Sequence, residues 1–154
     1  MLPSLVSVKS FIAKLTILFL PVALLLPLAC QQPSEMAVVT EVIDGDTIVI
    51  EGGYHVRYIG VDAPESDELY YLQAKQINEY LIAGKKVRLE SDISDKDSYG
   101  RLLRYVYVGD SFVNAEVVRQ GGAWAVAYPP DVKYQAYLEA MENEARQTER
   151  GLWR

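Results

Sequence analysis

The sequence has one cysteine and one histidine among its 154 residues, and these two shortages exclude several chemistries. A lone thiol cannot form an internal disulfide. With Cys30 and His55 as the whole supply, a zinc site of the His and Cys type is excluded. Basic residues are also scarce: 15 Lys+Arg face 21 Asp+Glu, a formal charge of −6. Bulk attraction therefore opposes binding to a polyanion, and any such contact must be local and helped by a bound cation. No internal repeat or low-complexity tract is present, and the length suits one domain with one core.

Charge is missing altogether from residues 15–29, and only Lys9 and Lys14 precede that run. A basic start, an apolar stretch and a small residue before Cys30 describe a secretory signal peptide. The run is short for a membrane span, and Pro21 and Pro27 interrupt it. Pro27-Leu28-Ala29-Cys30 resembles a bacterial lipobox, whose cysteine is lipidated and becomes the new N-terminus. Proline at its first position departs from the usual leucine. Lipid on Cys30 would anchor the chain to a membrane without spanning it. The expected organisation is a lipoprotein signal peptide over 1–29, a tether over 30–36 containing Pro33, and one folded domain over 37–154. The expected location is exported and membrane-anchored on the extracytoplasmic side. Removing residues 1–29 takes two lysines and no acid, leaving 13 Lys+Arg against 21 Asp+Glu and a formal charge of −8.

Segments 37–43, 47–51 and 54–59 are rich in Val, Ile, Thr and Tyr, with Gly52-Gly53 as a hairpin turn between the last two. Residues 66–83 read as a helix with Leu69, Leu72, Ile77, Tyr80 and Leu81 on its apolar face and Gly84 as its stop. Segments 86–90 and 103–108 read as two more strands, and 113–120 as a short helix stopped by Gly121-Gly122. Tyr134, Tyr137, Leu138, Met141 and Ala145 carry the period of a final helix, ended by Gly151, with Trp153 packing back on the body. Five strands with a helix between the third and fourth predict an α+β chain: a five-stranded OB-type barrel with three helices.

What is present is a set of five residues in three short motifs: Asp44-Gly45-Asp46-Thr47, the stretch from Arg57 to Glu65, and Asp97-Ser98-Tyr99-Gly100-Arg101. Asp-Gly-Asp alone usually makes only a turn, and Pro64 alone can simply end a strand. Together, Asp46, Asp62 and Glu65 lie at the ends of predicted strands and can converge on one barrel rim. Carboxylates and a backbone carbonyl are hard oxygen ligands suited to Ca²⁺. Each arginine alone would most simply be a surface ion pair, yet its planar fork can also grip two phosphate oxygens. Arg57 and Asp62 have opposite parity, so their convergence requires the backbone to bend near Gly60. His55, within a predicted strand, reads as a surface or edge residue.

These motifs, in this order, resemble the staphylococcal nuclease (thermonuclease) family. Phe112-Val113-Asn114, Val118-Arg119-Gln120-Gly121, Tyr128-Pro129-Pro130 and Gly151-Leu152-Trp153 extend the resemblance over about Ala37 to Trp153. It implies an OB-fold, Ca²⁺-dependent, sugar-nonspecific endonuclease that acts on DNA and RNA and leaves 3′-phosphates. Asp46 and Asp62 match the family's metal-ligating aspartates, and its third ligand, a main-chain carbonyl, falls on Ala63, where the family usually has threonine. Glu65 matches the residue assigned as general base. Arg57 and Arg101 match the phosphate-binding arginines. Tyr99 and Tyr128 match positions near the bound nucleotide.

Three departures bear on substrate capture. The lysine-bearing loop after the catalytic glutamate is short here, Ser98 replaces a frequent lysine, and Val126 replaces a family tyrosine. An acidic body with few lysines near the groove favours single-stranded substrate, and a monomer is expected. Two other readings compete. One is a catalytically silent OB-fold module that binds nucleic acid, which leaves Asp46, Asp62 and Glu65 without a purpose. The other is a surface lipoprotein binding Ca²⁺ or a protein, which leaves the paired arginines unexplained.

Overall fold

The structure is a computed structural model, and it describes residues 35–154. The signal segment 1–29, Cys30 and the residues through Ser34 lie outside the described residues. β1 (Glu35–Val42), β2 (Thr47–Ile50) and β3 (Tyr54–Tyr58) follow one another as antiparallel neighbours. A short β4 (Val61–Asp62) leads through a turn to α1 (Tyr71–Ile82). Then come β5 (Lys86–Glu90), β6 (Leu102–Val108), β7 (Ser111–Phe112), α2 (Val113–Arg119), β8 (Trp124–Ala125), α3 (Gln135–Gln147) and a 3₁₀ turn over Gly151–Trp153.

The sheet runs β3-β2-β1-β5-β6-β7, and β3 also pairs in parallel with β6. That last pairing closes β1, β2, β3, β5 and β6 into the expected five-stranded barrel, with three helices packed around it. Closure is possible because β1 serves two partners. Its first half pairs with β5, its second half pairs with β2, and a bulge between Val39 and Glu41 turns the strand from one to the other. The bulged Thr40 keeps a partner by donating its hydroxyl to the Val49 carbonyl at 3.2 Å. The small β4–β8 ribbon and the β6–β7 hairpin are additions to the barrel.

Alternating aliphatic residues fill the interior: Val39, Ile48, Val56, Val87, Leu89 and Val106 are all buried. Val113, Val117 and Leu138 join them from α2 and α3. A second, aromatic cluster gathers Tyr105, Tyr107, Phe112 and Tyr134 at one side. Among the described residues, no helix is long and apolar enough to cross a membrane.

α1 departs from expectation twice. Residues 66–70 form turns, and Tyr70 stands at φ 69°, so the helix begins at Tyr71. Its buried face is Ala74, Asn78 and Ile82, with the expected Ile77 and Leu81 packed half-buried against the core, whereas Leu69, Leu72 and Tyr80 are exposed. The reason is what the helix rests on. A Cβ added to Gly45 would meet the Cβ of Ala63 at 2.6 Å and that of Ala74 at 2.9 Å. The Asp44–Asp46 turn presses so closely on α1 that only small or hydrogen-bonding residues fit there.

Candidate active site

The three motifs meet where two loops flank one strand of the barrel. Asp44-Gly45-Asp46 joins β1 to β2, residues 91–101 join β5 to β6, and Arg57 lies on β3 between them. These are the connections and the face with which OB-folds bind oligonucleotides.

Asp46 is nearly buried at 5% exposure. Its Oδ1 accepts from the Thr47 hydroxyl at 2.9 Å and pairs with Arg57 Nε at 3.1 Å. Its Oδ2 accepts from the Ala63 N–H at 2.6 Å, which ties the two motifs together. Asp44 Oδ1 caps the turn by accepting from the Asp46 N–H at 2.9 Å. Burial pushes the Asp46 carboxyl up to about 7. Arg57 pulls it down, Asp44 adds to the rise, and the bonds from Ala63 and Thr47 oppose it. The turn is held from behind by Asn78, which donates Nδ2–H to the Asp44 carbonyl and accepts from the buried Tyr58 hydroxyl, both at 2.8 Å.

Arg57 is committed on three sides. Nε pairs with Asp46, Nη2 donates to Asp62 Oδ1 at 2.7 Å, and Nη1 donates to the Tyr58 carbonyl at 3.1 Å and to the Val61 carbonyl. The bend expected near Gly60 makes this possible. Gly60 stands at φ +76°, and a Cβ there would strike Leu138 Cδ1 at 2.4 Å, so glycine meets both the conformational and the spatial demand.

Arg101 is set by Asp97, whose Oδ2 accepts from Arg101 Nε at 2.6 Å and whose Oδ1 accepts from the Arg101 and Tyr99 N–H groups, each at 2.9 Å. Burial of Asp97 would raise its carboxyl pKa, but the bonds and charge of Arg101 prevail and hold it below the usual range. Arg57, Arg101, Tyr128 and Asp131 line one cleft of about 250 Å³. Burial, then the Asp62 carboxylate, raise the Tyr128 phenol above its usual value. Tyr99 is 84% exposed, with its ring 5.5 Å from the Arg101 guanidinium carbon. Glu65 stands exposed just beyond β4. Its N–H donates to Glu68 Oε2 at 2.8 Å, and its carboxylate has no hydrogen-bond partner among the described residues.

The structure thus joins Asp46, Arg57, Asp62 and Ala63 by direct bonds and brings Arg57, Arg101 and Tyr128 to one cleft, whereas Glu65, three residues past Asp62, is not among the residues lining it. Among the described residues, no three His, Cys, Asp or Glu side chains converge as a metal cluster. The expected set is two carboxylates and one carbonyl. All its donors are hard oxygens, the chemistry that Ca²⁺ takes, so the residues fit Ca²⁺. Sequence reasoning missed Asn78, whose signal was a polar residue at the i+4 spacing of Ala74 and Ile82. It also assigned no role to Asp97 or to the buried Asp131, which accepts from the Ile93 and Ser94 N–H groups at 3.0 and 2.7 Å.

The site is thus a carboxylate pair clamped by one arginine on a closed five-stranded OB-type barrel, with a second arginine in the adjoining cleft. The chain belongs to the staphylococcal nuclease homologue family, whose model matches residues 55–154. It is similar to the thermonuclease of Staphylococcus intermedius, 38% identical over 128 residues that cover 77% of this chain and 76% of that protein. Similarity to the thermonuclease of Staphylococcus hyicus is 36% over 124 residues, covering 75% and 73%. An uncharacterized endonuclease of Escherichia coli is also 36% identical over 124 residues, covering 75% and 74%.

Proposed function

We propose that this protein is an exported Ca²⁺-dependent, sugar-nonspecific endonuclease that cleaves DNA and RNA to leave 3′-phosphates and is held to a membrane by lipid on Cys30. The observation that carries the catalytic reading is the bridge that Arg57 makes between Asp46 and Asp62 at the edge of the cleft it shares with Arg101.

A phosphodiester is anionic and gains negative charge as water attacks it. Arg101 and Arg57 supply preorganised donors where that charge develops. Arg57 has one Nη2–H uncommitted among the described residues, so its fork is first a clamp and engages phosphate through its free edge. Glu65, exposed and with its carboxylate unpaired among the described residues, is free to accept the proton of the attacking water. Held by Asp46, Asp62 and the Ala63 carbonyl, calcium would supply Lewis-acid charge at a phosphate oxygen. Tyr128 and Tyr99 flank the strand from either side of Arg101. With so few cations near the cleft, single-stranded substrate is favoured, and the chain acts as a monomer.

The test is cleavage of single-stranded DNA and RNA by the chain lacking residues 1–29, with Ca²⁺ and then with chelator. Cleavage that requires Ca²⁺ and is lost in Glu65→Gln supports the enzyme. Binding without cleavage supports the silent module instead. For the anchor, Cys30→Ser should move the protein from the membrane fraction to the soluble fraction, and no movement would sink that part.

A further inference from the structure

A second, shallower cleft of about 180 Å³ lies on the far side of Arg101 from the first. Gly53, Tyr54, His55, Tyr99, Gly100 and Arg101 line it. Its position follows from barrel closure. β3 runs parallel to β6 with Val56 opposite Leu102, so His55 and Arg101, each one residue earlier, come alongside. Alternation along β3 puts His55 on the same face as Arg57, while Val56 and Tyr58 point into the core. The tip of the β2–β3 hairpin forms one wall and the 97–101 loop the other.

This cleft is unusual in what it leaves in water. Tyr54 is 58% exposed, and neither its ring nor that of Tyr99 is in the core. The Tyr54 ring is nonetheless seated: a Cβ on Gly52 would meet its Cε2 at 2.8 Å, so the absent side chain makes room for the ring against the hairpin. Nothing lies within 4 Å of where a Cβ would stand on Gly53 or Gly100, so both walls are open. Two exposed phenols and an imidazole around one basic residue form a stacking surface for flat, uncharged rings. The single guanidinium there is the one the first cleft also uses, so this cleft has no cation of its own for a second phosphate.

We infer that this cleft is a nucleobase subsite: a single strand held at Arg101 continues past it and stacks one base on Tyr54 and Tyr99, beside His55. The inference rests on the nucleic-acid-binding part of the reading above and extends it to a nucleotide beyond the cleft that holds the phosphate. Such stacking is tolerant of sequence, because every base presents a π-face. It also supplies affinity that an acidic body with few lysines lacks.

The experiment uses the full chain carrying Glu65→Gln, in detergent with Ca²⁺, and fluorescein-labelled oligothymidylates of two lengths, a dinucleotide and an octanucleotide, read by anisotropy. The octanucleotide should bind more tightly than the dinucleotide, and Tyr54→Ala should remove most of that gain, about a tenfold loss of affinity for the longer strand. Tyr54→Phe should keep the gain, since the ring and not the hydroxyl carries it. An abasic residue placed at successive positions should cost the parent a similar factor at one position and cost Tyr54→Ala nothing further there. The subsite is overturned if Tyr54→Ala binds the octanucleotide as tightly as the parent does, or if its loss is the same at every abasic position. If Tyr54-dependent binding is found while the chain with Glu65 restored cleaves nothing, the nuclease reading fails and the subsite stands.

Discussion

Arg57 and Asp62 are five residues apart in the chain and 2.7 Å apart in space, because Gly60 between them turns the backbone at φ +76°. On a straight strand their side chains would face away from each other. Gly60→Ala should therefore lower stability by about 2–4 kcal/mol, combining a left-handed backbone with the collision at Leu138. Urea unfolding checks the size. A variant as stable as the parent would mean that the bend tolerates a side chain.

Arg57→Lys should cost nearly as much activity as Arg57→Ala, about a hundredfold or more in kcat/KM. A lysine offers one ammonium where the guanidinium reaches Asp46, Asp62 and two carbonyls in different directions. Steady-state cleavage of a single-stranded oligonucleotide compares the two, and near-parental turnover in Arg57→Lys would remove the clamp from the mechanism.

Asn78→Ala should lose about 1–3 kcal/mol, since it leaves the Tyr58 hydroxyl buried without its acceptor and frees the Asp44 carbonyl. The same change should lower kcat, because the turn that aims Asp46 loses its support. Rescue by Asn78→Gln is not expected, as α1 lies too close to the turn for a longer side chain. Melting and kinetics on the same preparation separate the two effects.

Glu90 predicts an acid-side change in stability. Burial alone would raise its carboxyl pKa, but hydrogen bonds from Lys133 at 2.6 Å, Tyr134 at 2.9 Å and Arg88 at 3.2 Å prevail and hold it below its ordinary 4.5. A carboxyl with a depressed folded pKa stabilises the fold above its unfolded pKa, and that contribution fades as pH falls through the folded value. The parent should therefore lose more stability than Glu90→Gln between about pH 6 and about pH 3. Denaturant midpoints at the two pH values measure this, and identical losses would refute it.

Much of this was legible in the sequence because strands announce themselves by composition. The five barrel segments, their hairpin and the parity conflict at Gly60 could all be read before any coordinates. The α1 face could be read only in part. Periodicity counts large apolar residues, and of the five it selected, Ile77 and Leu81 do pack on the core while Leu69, Leu72 and Tyr80 are exposed. Where the helix packs against the Gly45 turn its contact face is small and polar, and a pattern search gives Ala74 and Asn78 no weight. The second cleft was hidden for a related reason. It is made of a hairpin tip and a loop, which become neighbours only through the parallel pairing of strands far apart in the chain.

That pairing also sets the moment at which the molecule acquires its chemistry. Arg57 and Arg101 share a cleft only where Val56 stands opposite Leu102, a pairing of residues far apart in the chain whose loop closure costs more entropy than that of the local hairpins. A nascent or stretched polypeptide has both arginines and all three acids, yet no place where they act together. Such a chain carries every residue of the proposed site and none of its geometry, which exists only once the barrel has shut.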